Sequence, residues 1–85
     1  MEIKEISEPI AMRKLTAGND VVTVTIGKPA LFEDGDDYYC PYAIEFLGKR
    51  KVSYAGGIDG IQAIQLAMNK IGVDLTYPRM SPLLG

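Results

Sequence analysis

The sequence predicts an α+β domain, a small antiparallel β-meander of about four strands followed by one amphipathic helix packed on one sheet face. Two observations lead to this prediction. Short segments in which apolar and polar residues alternate are separated by turns rich in glycine, proline and asparagine up to residue 57. One later segment, residues 60–71, has apolar residues three and four positions apart, as in a helix with one buried side.

Residues 9–15 and 20–26 are the first two predicted strands. The residues between them include glycine and asparagine and are typical of a turn. We expect a three-residue loop, 17–19, because the register that it sets gathers the larger aliphatic side chains on one face of the sheet. The resulting pairs are Met12 with Val24 and Ile10 with Ile26.

Residues 38–47 are the longest predicted strand. Its apolar face consists of Cys40, Tyr42, Ile44 and Phe46. Residues 48–50 are the expected loop to a last strand, because this loop keeps the bulky side chains together. It pairs Phe46 with Val52 and Ile44 with Tyr54. A two-residue loop would instead oppose Phe46 with Lys51, which is a poorer match.

The helix is predicted over residues 60–71. Asp59 precedes it as the N-cap, and Gln62 completes a pair that is similar to a capping box. Gly72 is placed to end the helix in a left-handed conformation. The apolar stripe consists of Ile61, Ile64, Ala67, Met68 and Ile71. Its four large residues are expected to pack on the sheet face that holds Val22, Val24, Ile44 and Phe46.

Residues 1–85 are predicted to form a single domain, with a core from about residue 9 to residue 75 and an irregular, proline-containing tail from 76 to 85. A chain of 85 residues has room for one core only. Its hydrophobic fraction of 47% and its charged fraction of 24% are those of an ordinary globular protein. The composition therefore argues against disorder of the whole chain.

The charge and the cysteine content indicate which kinds of partner and which cellular compartment to expect. The net charge of −2 lacks the basic surplus that binds a phosphate backbone, so we expect no nucleic-acid partner. No apolar run reaches the length of a membrane span, and the N-terminus lacks the apolar segment of a secretory signal. A single cysteine forms no internal disulfide, as is usual in a reducing compartment. We therefore expect a cytoplasmic protein with no membrane contact.

The residues that carry most enzyme chemistry are missing or isolated. The chain has no histidine, which removes the commonest general base and zinc ligand. Cys40 is expected to be a buried, unreactive thiol. The acidic segment 33–37 lacks the later bidentate glutamate of a calcium loop, so we interpret it as a solvated turn. We predict no catalytic residue, no metal site and no cofactor, and an enzyme is the less favoured class.

Two groups of residues are candidates for contacts with a ligand or a partner. The first is the turn before the helix, with Gly56, Gly57 and Asp59, where backbone N–H groups could face an anion. A tight strand-to-helix turn would need the same glycines, and the Asp59 carboxylate would repel a phosphate. The second group is either framework or a binding surface of the sheet. It consists of Tyr38, Tyr39, Tyr42 and Tyr54.

Two segments resemble those of a known family. One is Cys40-Pro41-Tyr42-x-Ile44, and the other runs from Gly56 to Ala67 as Gly-Gly-Ile-Asp-x-Ile-Gln-Ala-Ile-Gln-Leu-Ala. Similar segments mark a family of short bacterial proteins classed as a domain of unknown function. The resemblance extends over roughly residues 10–75. It implies a bacterial source but no activity, cofactor or catalytic residue.

The predicted packing leaves one face of the sheet uncovered. That face would present small and apolar residues, among them Leu15, Val21 and Leu47, over an area too large for a monomer in water. The N-terminal segment 1–6 alternates charges with two isoleucines and is predicted to be a poor cover, as are residues 82–84. We therefore expect a non-catalytic binding or assembly module that associates with itself as a homodimer, or with another protein.

Two other functions stay open at this point. A small acidic domain could block a basic partner protein, in the manner of an immunity or antitoxin-like protein. Alternatively, the turn at residues 56–60 and the tyrosines of the sheet could bind a small ligand or a substrate. A rise in melting temperature with one member of a metabolite set would identify such a ligand, because a molecule that binds only the native state stabilises it.

Overall fold

In the part of the chain that the structure describes, five antiparallel strands are followed by one helix, so the predicted α+β arrangement is confirmed. The computed structural model describes residues 3–33 and 35–76, and the predicted irregular tail beyond residue 76 lies outside them. The strands are β1 (Pro9–Ala17), β2 (Asp20–Gly27), β3 (Ala30–Leu31), β4 (Tyr38–Phe46) and β5 (Lys49–Gly57), and the helix is α1 (Gly60–Thr76). The long strands lie in the order β1-β2-β4-β5, and the short β3 pairs with the start of β4.

The β1–β2 hairpin closes with a two-residue turn, Gly18-Asn19, so the predicted three-residue loop is wrong. Gly18 has a positive φ of 65°, as the first residue of a type II′ turn requires. The shorter turn changes the register by one residue, and Met12 pairs with Thr25 instead of Val24. Because side chains alternate along a strand, Met12 shares a face with Thr25 and not with the aliphatic residues of β2.

The β4–β5 hairpin also closes with two residues, Leu47 and Gly48, so both loops considered from the sequence are wrong. Their φ angles of 53° and 76° are those of a type I′ turn. Leucine rarely adopts a left-handed conformation, which is why the sequence pattern did not indicate this turn. The observed pairs are Phe46 with Lys49, Ile44 with Lys51, and Pro41 with Tyr54.

The two faces of the sheet differ in what covers them. The helix face, on which α1 packs, includes Leu15, Val22, Val24, Ile26, Ile44 and Phe46. The opposite side, which we call the outer face, includes Thr23, Thr25, Ala43, Glu45, Arg50 and Tyr54. The predicted core of Val22, Val24, Ile44 and Phe46 beneath the helix is therefore confirmed.

α1 is longer than predicted, because it continues through Gly72 to Thr76. Tertiary contacts hold the additional turn on the sheet. Leu75 packs against the core, and the Asp74 carboxylate lies 3.0 Å from the Lys51 ammonium. These contacts outweigh the cost of a glycine inside a helix, which is roughly 0.5–1 kcal/mol relative to alanine.

The helix is also rotated relative to the prediction. Its fully or almost fully buried side chains are Ala63, Ala67 and Ile71. By contrast, Ile61 is 71% exposed and Met68 is 55% exposed, so the predicted packing of these two residues on the sheet is wrong. The two alanines let the helix axis approach β4 and β5, the strands that it mainly contacts. The close approach of the α1 backbone to the sheet thus decided the orientation of the helix. The larger apolar side chains of α1, such as Met68, lie beside this contact.

The N-terminal segment 3–8 covers part of the outer face, so the prediction that it is a poor cover is wrong. Ile6 is buried there. The Glu5 carboxylate accepts a hydrogen bond of 3.1 Å from Nε of Arg50, and the same guanidinium forms an ion pair with Glu45. One buried isoleucine, this cluster of charges and a backbone hydrogen bond of 2.8 Å from Lys28 N–H to the Glu8 carbonyl hold the segment on the sheet.

The sheet face that the sequence predicted to be uncovered has a different set of residues in the structure. Thr25 and Ala43, which lie on the outer face, are buried. Leu15 lies on the helix face, and Leu47 lies in the β4–β5 turn. Val21 stays exposed, as expected, and a further apolar surface that lacks a cover is found on the helix face.

Candidate functional site

An open apolar groove runs beside α1 on the helix face, above β1 and β2. Four strands make a sheet roughly 19 Å wide, and a helix with its side chains is about 10 Å across, so two helices fit side by side on such a face. In the described part of the chain one helix is present, and it lies over β4 and β5. The groove that is left has a volume of about 450 Å³.

The groove has an aliphatic floor and aliphatic walls. Val24 and Ile26 of β2 form the floor. The β1 side is formed by Ile10, Ala11 and Leu15, and the α1 side by Ile64, Met68, Ile71, Gly72 and Leu75. Several of these side chains are strongly exposed, including Met68 at 55% and Ile10 at 51%. Each 100 Å² of such apolar surface that a partner removes from water contributes roughly 2.5 kcal/mol to the free energy of binding.

Arg13 is the one charged residue among the described residues that line the groove. It lies on β1, at the rim, and forms no salt bridge with another residue in the described ranges 3–33 and 35–76. The rest of the lining offers no hydrogen-bonding side chain. The groove is therefore suited to apolar docking and not to acid–base chemistry.

In the glycine turn before α1, polar groups of the same chain already bond to backbone N–H groups. The backbone N–H of Gln62 donates to the Asp59 carboxylate at 2.8 Å, and the Gln62 side chain accepts from the backbone N–H of Ile58 at 2.8 Å. A Cβ on Gly57 would lie 2.6 Å from the backbone nitrogen of Ala63. The predicted cap is thus confirmed, and Gly57 and Asp59 serve a tight connection from strand to helix.

The candidate tyrosines lie on both faces and do not form one surface. Tyr39 and Tyr54 belong to an outer-face cluster with Phe32, in which ring centroids are 5.2–6.0 Å apart. This cluster also covers Gly56, where a Cβ would meet the Phe32 ring at 3.5 Å. Tyr42 is buried on the helix face, and Tyr38 packs against the same core. The tyrosines therefore support both sides of the sheet.

Lys70 covers the outer edge of β5. Its ammonium donates a hydrogen bond of 2.6 Å to the backbone carbonyl of Tyr54 and lies 5.8 Å from the centres of the Tyr42 and Tyr54 rings. A carbonyl that is already bonded is not available to a further strand. At Tyr54 the edge of β5 is thus covered by α1, whereas the edge formed by β1 is next to the groove.

Cys40 is buried, as predicted. Its thiol lies 3.5 Å from the backbone carbonyl of Gly27, to which it donates a weak hydrogen bond. Removal from water raises the pKa of the Cys40 thiol. Burial likewise raises the pKa of the neighbouring Tyr42 phenol. Both groups are held in their neutral forms inside the core, which disfavours a role as nucleophile or base.

A family model described as a domain of unknown function (DUF6968) matches residues 11–81 of the chain. The chain belongs to this family. The DUF6968 match includes β1 from Ala11 onward, all of α1 and part of the segment after it, so it contains most of the groove. It excludes Glu5 and Ile6, which cover the outer face.

Neither the curated proteins nor the solved structures that were compared contain a match to this DUF6968 protein. No helix in the described part of the chain is long and apolar enough to cross a membrane. The groove was not predicted from the sequence. Its signal was the width of the apolar stripe on α1, which is too broad for contact with a single sheet.

Proposed function

We propose that this DUF6968 protein is a non-catalytic assembly module, and that it forms a homodimer through the groove side of β1 and α1. The observation that supports the proposal is the groove itself, an aliphatic surface on the helix face with solvent-exposed walls. A chain of 85 residues buries a small share of its surface, so a second copy adds apolar burial that the single chain lacks.

The proposed interface is isologous, with the same groove side on both copies. Such an interface closes at two subunits and leaves no free copy of the surface. It differs from the interface predicted from the sequence, because Leu15 belongs to it whereas Val21 and Leu47 do not line the groove. The outer face keeps its own cover, the N-terminal segment.

A bacterial and cytoplasmic setting is part of this proposal. The bacterial source rests on the two sequence segments that mark the family. The cytoplasmic location is supported by the single, buried cysteine, since small domains in oxidising compartments commonly rely on disulfides.

Light scattering over a concentration series tests the homodimer. We expect twice the monomer mass of 9.3 kDa for the unmodified protein. Met68→Lys places a charge in the groove wall and should give a monomer. Leu66→Lys is the matched control, because Leu66 is 39% exposed on the other side of the same helix. A 9.3 kDa particle at every concentration up to the solubility limit would overturn the proposal.

A further inference from the structure

The groove has one feature that the homodimer does not use, the guanidinium of Arg13. Arg13 pairs with Val24, a residue of the helix face, so its side chain starts on the groove side of β1. It is exposed and forms no salt bridge with another residue of the described ranges. In an isologous dimer two such cations meet in one interface, whose described lining holds no carboxylate. Like charges placed together oppose association unless an anion neutralises them.

The described part of a second copy also fills the groove poorly. The side of α1 that points away from the sheet carries two exposed amides, Gln65 and Asn69. A second α1 laid in the groove would press these amides against aliphatic side chains, where they would lose their hydrogen bonds to water. If the second α1 instead lies beside the groove, much of the aliphatic lining stays in water. A small apolar molecule between the two copies would remove this conflict.

The residues that line the groove indicate the chemistry of such a molecule. Among those that the structure describes there is no aromatic ring, and Arg13 is the one side chain that forms hydrogen bonds. An aliphatic chain matches these walls, and a carboxylate matches the guanidinium, whose N–H groups bind it in bidentate fashion. The groove volume of about 450 Å³ lies within the usual range of small-molecule sites, roughly 300–1,000 Å³. A sugar or a nucleotide would find too few polar partners here.

The dimensions of the groove set the length of the aliphatic chain. Along β1 the distance from Arg13 to Ile10 is roughly 10 Å at the rise of a strand. Along α1 the groove extends from Ile64 to Leu75, which is roughly 16 Å at the rise of a helix. Carbon–carbon bonds of about 1.5 Å advance an extended alkyl chain by roughly 1.3 Å per carbon. A chain whose head group lies at Arg13 therefore fits in the groove with about eight to twelve carbons.

We infer that the groove binds a single-chain aliphatic carboxylate of about eight to twelve carbons, with its chain along the groove and its carboxylate on the guanidinium of Arg13. The inference goes beyond the proposed homodimer and rests on it in one respect, because the second copy covers the side of the chain that one groove leaves in water. Binding to a single groove requires no second copy. In the dimer, two bound carboxylates neutralise the two Arg13 side chains.

Isothermal titration calorimetry of the full chain tests the fit of the aliphatic chain. The probes are octanoate, decanoate, dodecanoate and tetradecanoate, each below its micelle concentration. A fully buried methylene tightens binding roughly fourfold, so one that the open groove covers on one side should tighten it roughly twofold. We expect this gain per carbon up to about twelve carbons and no further gain beyond them, where the chain outgrows the groove. A dissociation constant that stays the same along the series would overturn the inference.

A second measurement tests the role of Arg13. Arg13→Gln should weaken the binding of decanoate by about fivefold and leave that of the uncharged decanol unchanged, because only the carboxylate contacts the guanidinium. Lys14→Gln is the matched control, since it removes the same charge from the next residue of β1, which pairs with Thr23 of the outer face. It should change the dissociation constant of decanoate less than about twofold. Both residues are exposed, so both variants should fold.

The outcomes separate the two proposals. A wild-type dimer that binds none of the carboxylates overturns the ligand alone, as do equal losses for Arg13→Gln and Lys14→Gln or equal affinities for decanoate and decyltrimethylammonium. A protein that binds decanoate through Arg13 but stays monomeric at every concentration, with and without decanoate, supports the ligand and overturns the homodimer. Sedimentation with phosphatidylglycerol vesicles, without binding of free decanoate, shows contact with a lipid surface instead and also overturns the ligand.

Discussion

Ile6 lies against Gly27 on the outer face, so closely that a Cβ on Gly27 would come within 2.7 Å of the isoleucine side chain. Pro41 of β4 closes the same space from the other side, at 2.8 Å from that position. The contact ties the N-terminal segment to the middle of the sheet. It also explains why the outer face has a cover that originates in the chain before β1.

Gly27→Ala should lower the free energy of unfolding by about 1–3 kcal/mol, because the added methyl group forces Ile6 or Pro41 to move. Gly72→Ala is the matched control. A Cβ on Gly72 enters open space, and alanine inside a helix is favoured by roughly 0.5–1 kcal/mol, so this variant should be more stable. Urea denaturation measures both. A Gly27→Ala protein as stable as the wild type would contradict the packing of Ile6 on the sheet.

Ala67→Asp should unfold the domain, whereas Ile61→Asp should be tolerated. Ala67 is fully buried between α1 and the sheet, and an unpaired carboxylate there costs several kcal/mol. Ile61 is exposed, so its substitution should change stability by less than about 0.5 kcal/mol. Thermal melting followed by circular dichroism distinguishes the two variants. If Ile61→Asp unfolded the domain as well, the result would favour the helix orientation predicted from the sequence, in which Ile61 packs on the sheet.

Asp59→Ala should cost about 0.5–2 kcal/mol, because it removes the acceptor for the backbone N–H of Gln62. Asp59→Asn keeps an oxygen in the same place and should retain most of the stability. Urea denaturation at neutral pH provides the comparison. If both variants lost the same amount, the hydrogen bond of the cap would not be the source of the effect.

The stability of the domain should fall at alkaline pH. Burial raises the pKa values of Cys40 and Tyr42, so the folded protein keeps protons that the unfolded chain has already lost. Their contribution is complete below the ordinary thiol pKa of about 8.5, and it is lost as the pH rises through the folded-state values. Melting temperatures between neutral and alkaline pH measure this loss, and Cys40→Ala should reduce the part of it that begins near the thiol pKa.

The sequence by itself determined the type and order of the main elements, because these depend on residues that are neighbours in the chain. Alternation predicted β2 and β4, helical spacing predicted α1, and Asp59 with Gln62 marked the helix start. The same patterns identified the core of Val22, Val24, Ile44 and Phe46, since each element has one face that must be buried.

The tertiary structure alone decided the registers, the orientation of the helix and the site. Leu47 adopts a left-handed conformation because the pairing of β4 with β5 outweighs a local preference against it. The close approach of Gly57 to Ala63 and the ion pair between Lys51 and Asp74 hold α1 over β4 and β5. The groove exists because of that position. The broad apolar stripe of α1 is visible in the sequence, but contacts between residues far apart in the chain leave no periodic signal, so the fold alone decided where this surface lies.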